Sequence, residues 1–512
     1  MTERQSHSIR NAFWAALYMS VTMIMGFVIR TLLIKKIGKE YLGLSSLCQS
    51  VLGTLNLAEL GMDTAISYNL YKPFAEEDTE QVNALLALYQ KIYKLIALVI
   101  LVLGLAVLPF LRGLIEGEPP ADVNIHLIFM LYLLDTVFSY LLYPPRRPLV
   151  VVSQQFSIHQ KVLLASFILM YAAQIAMLSL LRNYLLFAVC FPAFTILGSI
   201  IYRIVTDRKF PGYKAEGKLP KGFYAPFIKR VSGVALSRLR NASRSYIDVI
   251  FISSFLGLVV SARYNVYSVI LVIPQAATGI IISSIKGSIG NYFAVENDER
   301  KYGLFDLLAF LFFWIATFCA SCLVCLYQPF VSLWVGDDML LPFTAAAASA
   351  LLFFVMTIGS MLEMMKDITG IYWENRWTPL VEMLVNIVLD LICIRLWGVQ
   401  GVLLATAFSI AVITLPSDLL VLFRHYFHRS PARYVIKYTL FTLLAAGLAA
   451  ASHALCSKLP GSGIAILAVR LAVCLLVPNA ILVLVFYKTD NFKSMLGTVR
   501  QILGREPKGA DS

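Results

Sequence analysis

The chain has 512 residues, of which 59% are hydrophobic and only 14% charged. Soluble domains carry roughly 45–50% apolar and about 25% charged residues, so this chain cannot coat a water-soluble globule, and the bilayer must be its solvent. The formal charge of +13 does not indicate a nucleic-acid partner, because Lys and Arg sit mainly in short loops between apolar runs, the pattern that orients membrane proteins.

Arg4 and Arg10 precede an apolar run that continues to Ile34. That run is too long for the core of a cleaved signal peptide and reads as a first membrane helix. A spanning helix needs about 20 mostly apolar residues, and about fourteen such spans are expected, at 11–34, 41–70, 83–111, 125–143, 160–181, 184–205, 231–256, 264–288, 303–327, 342–364, 377–396, 401–423, 435–457 and 463–487. The expected class is all-α integral membrane. With the N-terminus placed in the cytoplasm, most Lys and Arg fall on the inner side, which puts both ends inside. Lys35, Lys36 and Lys39 are a local exception on the outer side.

An ionisable residue inside a membrane helix costs roughly 2.5–3.5 kcal/mol and usually faces a cavity or a partner. Helix one carries Arg30. In helix two, LNLAELGMDTAISYN, the residues Asn56, Glu59 and Asp63 share a face, with Gly61 between the acids. Helix four carries Asp135, and Arg146 and Arg147 in YPPRRP after it read as head-group anchors. The Arg182–Asn183 break alone divides 160–205 into helices five and six. The segment 206–230 mixes Pro211, Gly212, Pro220 and Pro226 with several Lys, a linker composition that parts twelve helices into six and six. This gives an N-lobe at 1–205, a basic cytoplasmic linker at 206–230, a C-lobe at 231–424, two added helices at 425–487 and a cytoplasmic tail at 488–512.

Helix seven is the most informative span. It reads VSGVALSRLRNASRSYIDVIFISSFLGL from Val231, and its purely apolar part, from Tyr246 on, is too short to cross alone. Ser237, Arg240, Arg244 and Asp248 recur at helical spacing and form one stripe. Counted from entry near residue 235, Arg244 lies about 13 Å deep at 1.5 Å per residue. Arg suits phosphate because its planar fork stays charged and donates paired bonds, so the stripe reads as an anion site facing an aqueous cavity. The structural alternative pairs Arg244 with Asp248 and lets Arg238 snorkel to the interface. Glu59 lies at roughly the depth of Arg240, where the two stripes are expected to act as a gate, a cation site or an ion pair. A faint internal echo joins Leu42-Gly43-Leu44 to Leu256-Gly257-Leu258.

In helix nine, Cys319, Cys322 and Cys325 form C-x-x-C-x-x-C. Their flanks are Phe, Ala, Leu and Val with no His nearby, so they read as small thiols packed in a membrane helix and no metal is expected. Asp337-Asp338 reads as a solvated loop. Glu363, Glu382, Asp390 and Arg470 are further single charges in or near spans, and Pro192, Pro274, Pro416 and Pro478 are expected to kink theirs. The six His are scattered, and there is no G-x-x-x-x-G-K-[ST] phosphate loop, so no catalytic set or ATP hydrolysis is expected.

The fourteen helices, basic mid-chain linker and charged stripes, together with IGKEYLGLSSLCQSVLGTLNLAELGMDTAISYNLYKPFAEEDTEQV (37–82), SYIDVIFISSFLGL and Tyr264-Asn265-x-Tyr267, resemble the Wzx-type polysaccharide flippases of the multidrug/oligosaccharidyl-lipid/polysaccharide exporter superfamily. The resemblance implies two six-helix lobes around a central cavity plus two C-terminal helices, working by alternating access in a bacterial inner membrane. It implies as cargo an undecaprenyl-pyrophosphate-linked oligosaccharide, carried from the cytoplasmic to the outer leaflet for surface polysaccharide synthesis, with membrane lipids and polysaccharide assembly proteins as partners. Arg240, Arg244, Arg238, Asp248 and Arg30 are then expected at the substrate. Glu59, Asp63, Asp135 and Asp390 are expected in coupling or gating, with Na⁺ or H⁺ as the coupling ion and no other cofactor. The alternatives are a lipid II flippase, a drug or cation antiporter of the same superfamily and, from another class, a membrane polysaccharide polymerase. Short outer loops count against the polymerase, and the Arg-rich helix seven against a cation exporter.

Overall fold

The computed structural model describes residues 3–56, 62–142, 146–224, 246–371, 374–459 and 463–502, together with 227, 244 and 461. Among these residues it is all-helical. Ten helices are long and apolar enough to cross a membrane. The other four expected spans have identifiable reasons for missing that mark. Span two is described in two parts, span four is 17 residues long, and span seven is described without a break only from Tyr246. Span eleven carries three charges, Glu382, Asp390 and Arg395.

By contacts the chain forms two units, Met1–Asn265 and Val266–Ser512. The division falls inside the helix Leu258–Val295. The first unit holds α1 (Glu3–Leu32), α2 (Lys39–Leu55), α3 (Met62–Ala75), α4 (Thr79–Val107), α5 (Ile125–Leu141), the short α6 (Arg147–Val152), α7 (Phe156–Ala176), α8 (Tyr184–Lys209), α9 (Tyr246–Leu256) and the start of α10 (Leu258–Val295). Here α1 packs along α7, α7 along α8, and α5 against α4 and α8. Side-chain caps begin the helices where the sequence offers them. Asp78 accepts from the Gln81 amide, Asn124 from those of His126 and Leu127, and Asn183 from that of Leu186. The Arg182–Asn183 break is real: Arg182 turns left-handed at φ 48° and Asn183 caps the next helix.

The two halves of the echo touch. A Cβ on Gly43 would overlap the carbonyl of Leu258, and Gly257 sits at φ 84°, in the left-handed region, to join α9 to α10. The Glu116 amide donates to the Ser253 carbonyl at 3.0 Å, tying the loop after α4 to α9. Gly43→Val is therefore expected to destabilise the protein by about 1–3 kcal/mol through overpacking. Gly279→Ala, which meets open space, is expected to be neutral. Thermal unfolding of both variants in detergent checks this, and equal midpoints would contradict the close approach.

The second unit is built around the 38-residue α11 (Asp298–Val335), against which α12 (Phe343–Thr369), α16 (Ala432–Ser457), α17 (Ile464–Phe486) and α18 (Asp490–Ile502) all pack. The helix α13 (Thr378–Trp397) pairs with α14 (Val399–Ser409). A π-helical turn at Ile410–Thr414 leads from α14 into α15 (Leu415–Leu422), just ahead of Pro416. Such a turn is one way a chain absorbs the missing amide of a proline. Pro192, Pro274 and Pro478 lie inside α8, α10 and α17. Polar ties hold the added helices: Trp314 Nε1 donates to Asn479 Oδ1 at 2.7 Å, and Lys437 Nζ reaches both Asp306 oxygens at 2.7 Å.

Candidate functional site

Arg30 lies in the last turn of α1, inside an apolar span. It lines a cavity of about 390 Å³ within the first unit, with Ser45, Gln49, Asp135, Tyr171, Gln174, Thr195 and Asn265 on its walls. Its Nε donates to Asn265 Oδ1 at 2.8 Å and its Nη1 to the Gly26 carbonyl at 2.9 Å. Two neutral oxygens thus hold the guanidinium in place. Among the described residues it has no carboxylate partner, and Nη2 has no acceptor.

The cavity's acid is engaged elsewhere. Asp135 Oδ1 accepts from Thr195 Oγ1 at 2.5 Å. Deeper in the wall, Ser45 bridges the Tyr132 and Tyr184 hydroxyls at 2.9 and 2.8 Å. Gln174 is 1% exposed, and its Nε2 has no hydrogen-bond partner among the described residues. The site therefore offers a guanidinium with no carboxylate in contact among the described residues and a spare amide donor in one low-dielectric space, where each is worth more than in water. That chemistry suits an anionic oxygen group. Sequence spacing could not find Gln174 or Thr195, which stand on separate helices, and Asn265 was marked only by the Tyr264-Asn265-x-Tyr267 resemblance and not as a partner of Arg30.

The structure brings Arg30 and Asp135 together. Asp248 on α9 is 2% exposed and accepts from the Tyr264 hydroxyl at 3.4 Å, while Arg244, one turn earlier, is helical and half-buried. Arg238, Arg240 and Glu59 lie outside the described residues. Asp63 falls within α3, and its side chain lies outside them too.

Asp390 belongs to the second unit, in a buried polar seam between α13 and α14. Glu382, Asn386 and Asp390 recur every four residues and are 0%, 1% and 0% exposed. Ser409 Oγ donates to Glu382 Oε1 at 3.0 Å, and Asn386 Nδ2 to Thr406 Oγ1 at 3.2 Å. The two carboxylates stand two helical turns apart, about 12 Å along α13 at 1.5 Å per residue, so each is a separate buried acid able to take a proton. The i, i+4 spacing of Asn386 with the two flagged acids was the available sequence signal. A second buried pair, Lys366 and Asp418 (Nζ to Oδ1 2.6 Å), is joined by Asn375. The same unit carries an apolar groove of about 350 Å³ lined by Ile270, Pro274, Phe318, Leu326, Phe330 and Leu471 among others.

No family model matches the sequence, and no curated protein matches it. Solved structures do. The lipid II flippase MurJ in an inward closed conformation aligns with a TM-score of 0.68 and 16% identity, covering 92% of this chain and 98% of that one. An inward-facing multidrug resistance MATE family transporter of the MOP superfamily aligns at 0.60 and 12% identity, covering 78% and 94%. The Vibrio cholerae MATE transporter VcmN in its bent form aligns at 0.52 and 12%, covering 82% and 97%. The chain therefore has the fold of the MOP superfamily transporters, a multi-pass α-helical membrane fold. These likenesses do not single out the Wzx type.

Proposed function

We propose that this protein is a flippase for a pyrophosphate-linked lipid carrying an oligosaccharide, working by alternating access in a bacterial inner membrane with both termini in the cytoplasm. The observation that carries the reading is Arg30: a guanidinium in an apolar span, held by neutral oxygens, with no carboxylate partner among the described residues and facing a cavity. Keeping such a charge in a membrane is costly, and a phosphate oxygen is the natural counter-group for its planar fork. The sequence resemblance at 37–82 and 245–270 supports an undecaprenyl-pyrophosphate-linked repeat unit as cargo.

The structural likeness to a lipid II flippase favours a second reading, lipid II itself, which presents the same pyrophosphate. A cation exporter fits less well, because its cargo would meet the Arg30 guanidinium on the cavity wall. Purified protein in proteoliposomes, supplied with a fluorescent undecaprenyl-pyrophosphate oligosaccharide or with lipid II, tests both readings. Flipping of the oligosaccharide lipid supports the first, flipping of lipid II alone supports the second, and flipping of neither while an organic cation is exchanged would refute the proposal.

The seam holding Asp390 is our candidate for coupling to Na⁺ or H⁺. Flipping should accelerate under one of these gradients, and Asp390→Asn should remove that acceleration while leaving cargo binding within about threefold, because one carboxylate's charge sets the ion affinity. Gradient dependence unchanged in Asp390→Asn would rule the seam out.

A further inference from the structure

Half of the chain's eight cysteines converge at one point in the second unit. Cys325 on α11, Cys456 on α16 and Cys474 on α17 place their three Sγ atoms within 4.8 Å of one another, at 3%, 1% and 0% exposure. Cys322, one turn before Cys325, packs against the trio and reaches the Cys474 sulfur. The C-x-x-C-x-x-C of α11 reads in the sequence as small thiols packed in a membrane helix. The fold adds two cysteines from helices more than a hundred residues further along the chain. Cys319, the first cysteine of the motif, lies outside the cluster and lines the apolar groove, as Cys322 also does, and Cys48, Cys190 and Cys393 belong to other elements.

From this geometry we propose that Cys325, Cys456 and Cys474, with Cys322 completing the set, form a structural site for a thiophilic metal ion such as Zn²⁺. Thiolate sulfurs bind zinc at about 2.3 Å, which spaces tetrahedral ligands about 3.8 Å apart, within the separations found. A disulfide would join only two of the four sulfurs and leave the other two crowded against it. Each coordinating thiol gives up its proton to the medium on binding. Three thiolates around Zn²⁺ leave one net negative charge, and four leave two.

A second feature supplies the opposite charge. Arg470 lies one turn before Cys474, on the same face of α17. Its carbonyl is 4.0 Å from the Cys456 sulfur, and its charge acts on that thiol. Its Nε is buried with no hydrogen-bond partner among the described residues. An arginine so placed offsets the charge of a metal–thiolate centre in an apolar setting. The ion would staple α16 and α17, the two helices beyond the first twelve, to the central α11.

Intact protein purified in detergent without chelator should carry about one zinc per chain by elemental analysis, as expected for a closed four-ligand site. Cys474→Ser should lower this to near zero, and Cys319→Ser should leave it unchanged. Should Cys474→Ser fail to fold, wild-type protein stripped with chelator and reloaded with Co²⁺ gives an independent readout: a thiolate-to-metal charge-transfer band, with recovery of the thermal midpoint lost on stripping. The proposal is overturned if Zn²⁺ and Co²⁺ both leave all four thiols open to alkylation. It is equally overturned if the intact mass is lighter by the two hydrogens of a disulfide, or if metal content is the same in Cys474→Ser and wild type.

Discussion

Arg30→Ala should abolish flipping of a pyrophosphate-linked lipid while leaving the protein as stable as wild type or more so. Truncating one partner of a buried charge-assisted pair costs about 2–5 kcal/mol of interaction, a thirtyfold to several-thousandfold loss. The stability expectation has the opposite sign, for a specific reason. Arg30 is held by Asn265 Oδ1 and the Gly26 carbonyl, both neutral, so its removal strands no charged hydrogen-bond partner. It also relieves the roughly 2.5–3.5 kcal/mol cost of an arginine at membrane depth. Arg30→Lys keeps the charge but loses the fork and the Nε bond to Asn265, and should retain partial activity. Flipping in proteoliposomes, beside thermal unfolding in detergent, separates the two effects. Full activity in Arg30→Ala would remove the residue from the mechanism, and a collapse in stability matching the lost activity would make its role structural.

Asp418→Ala should be among the most destabilising substitutions in the second unit, at about 3–5 kcal/mol. Lys366 and Asp418 are 8% and 0% exposed and meet at 2.6 Å. Asn375 Nδ2 also donates to Asp418, and Ser417 Oγ donates to Asn375 Oδ1 at 2.7 Å. Removing the carboxylate strands the Lys366 ammonium among buried groups. The double change Lys366→Met with Asp418→Leu should recover most of the loss, because a matched apolar pair avoids the desolvation cost that a lone charge cannot. Unfolding midpoints of the single and double variants decide the matter. A double variant as unstable as Asp418→Ala would mean that the surrounding hydrogen bonds, and not the stranded charge, set the cost.

The helical framework was legible in the sequence because the bilayer imposes it. A chain whose apolar runs each reach about 20 residues must satisfy its backbone within helices. Local chemistry marks where those helices begin and end: the Arg182–Asn183 break is a left-handed residue followed by a cap. The lone charges were legible as well, since Arg30, Asp135 and Asp390 stand out against apolar neighbours.

Which of those residues meet was decided only by tertiary packing. Arg30 and Asp135 share one cavity, whereas Asp390 joins Glu382 and Asn386 in the other unit. Gln174 becomes a donor on the cavity wall because α1 lies along α7. Asp418, passed over in the sequence, finds Lys366, and Cys456 and Cys474 find Cys325. The reason is physical. A helix that is apolar all round, as membrane spans are, carries no stripe that says which face meets which neighbour. Between such helices the choice is made by close packing and a few polar contacts. Composition and spacing place each residue along its helix, but the rotation of that helix, and so the partners of its side chains, emerges only when the helices pack.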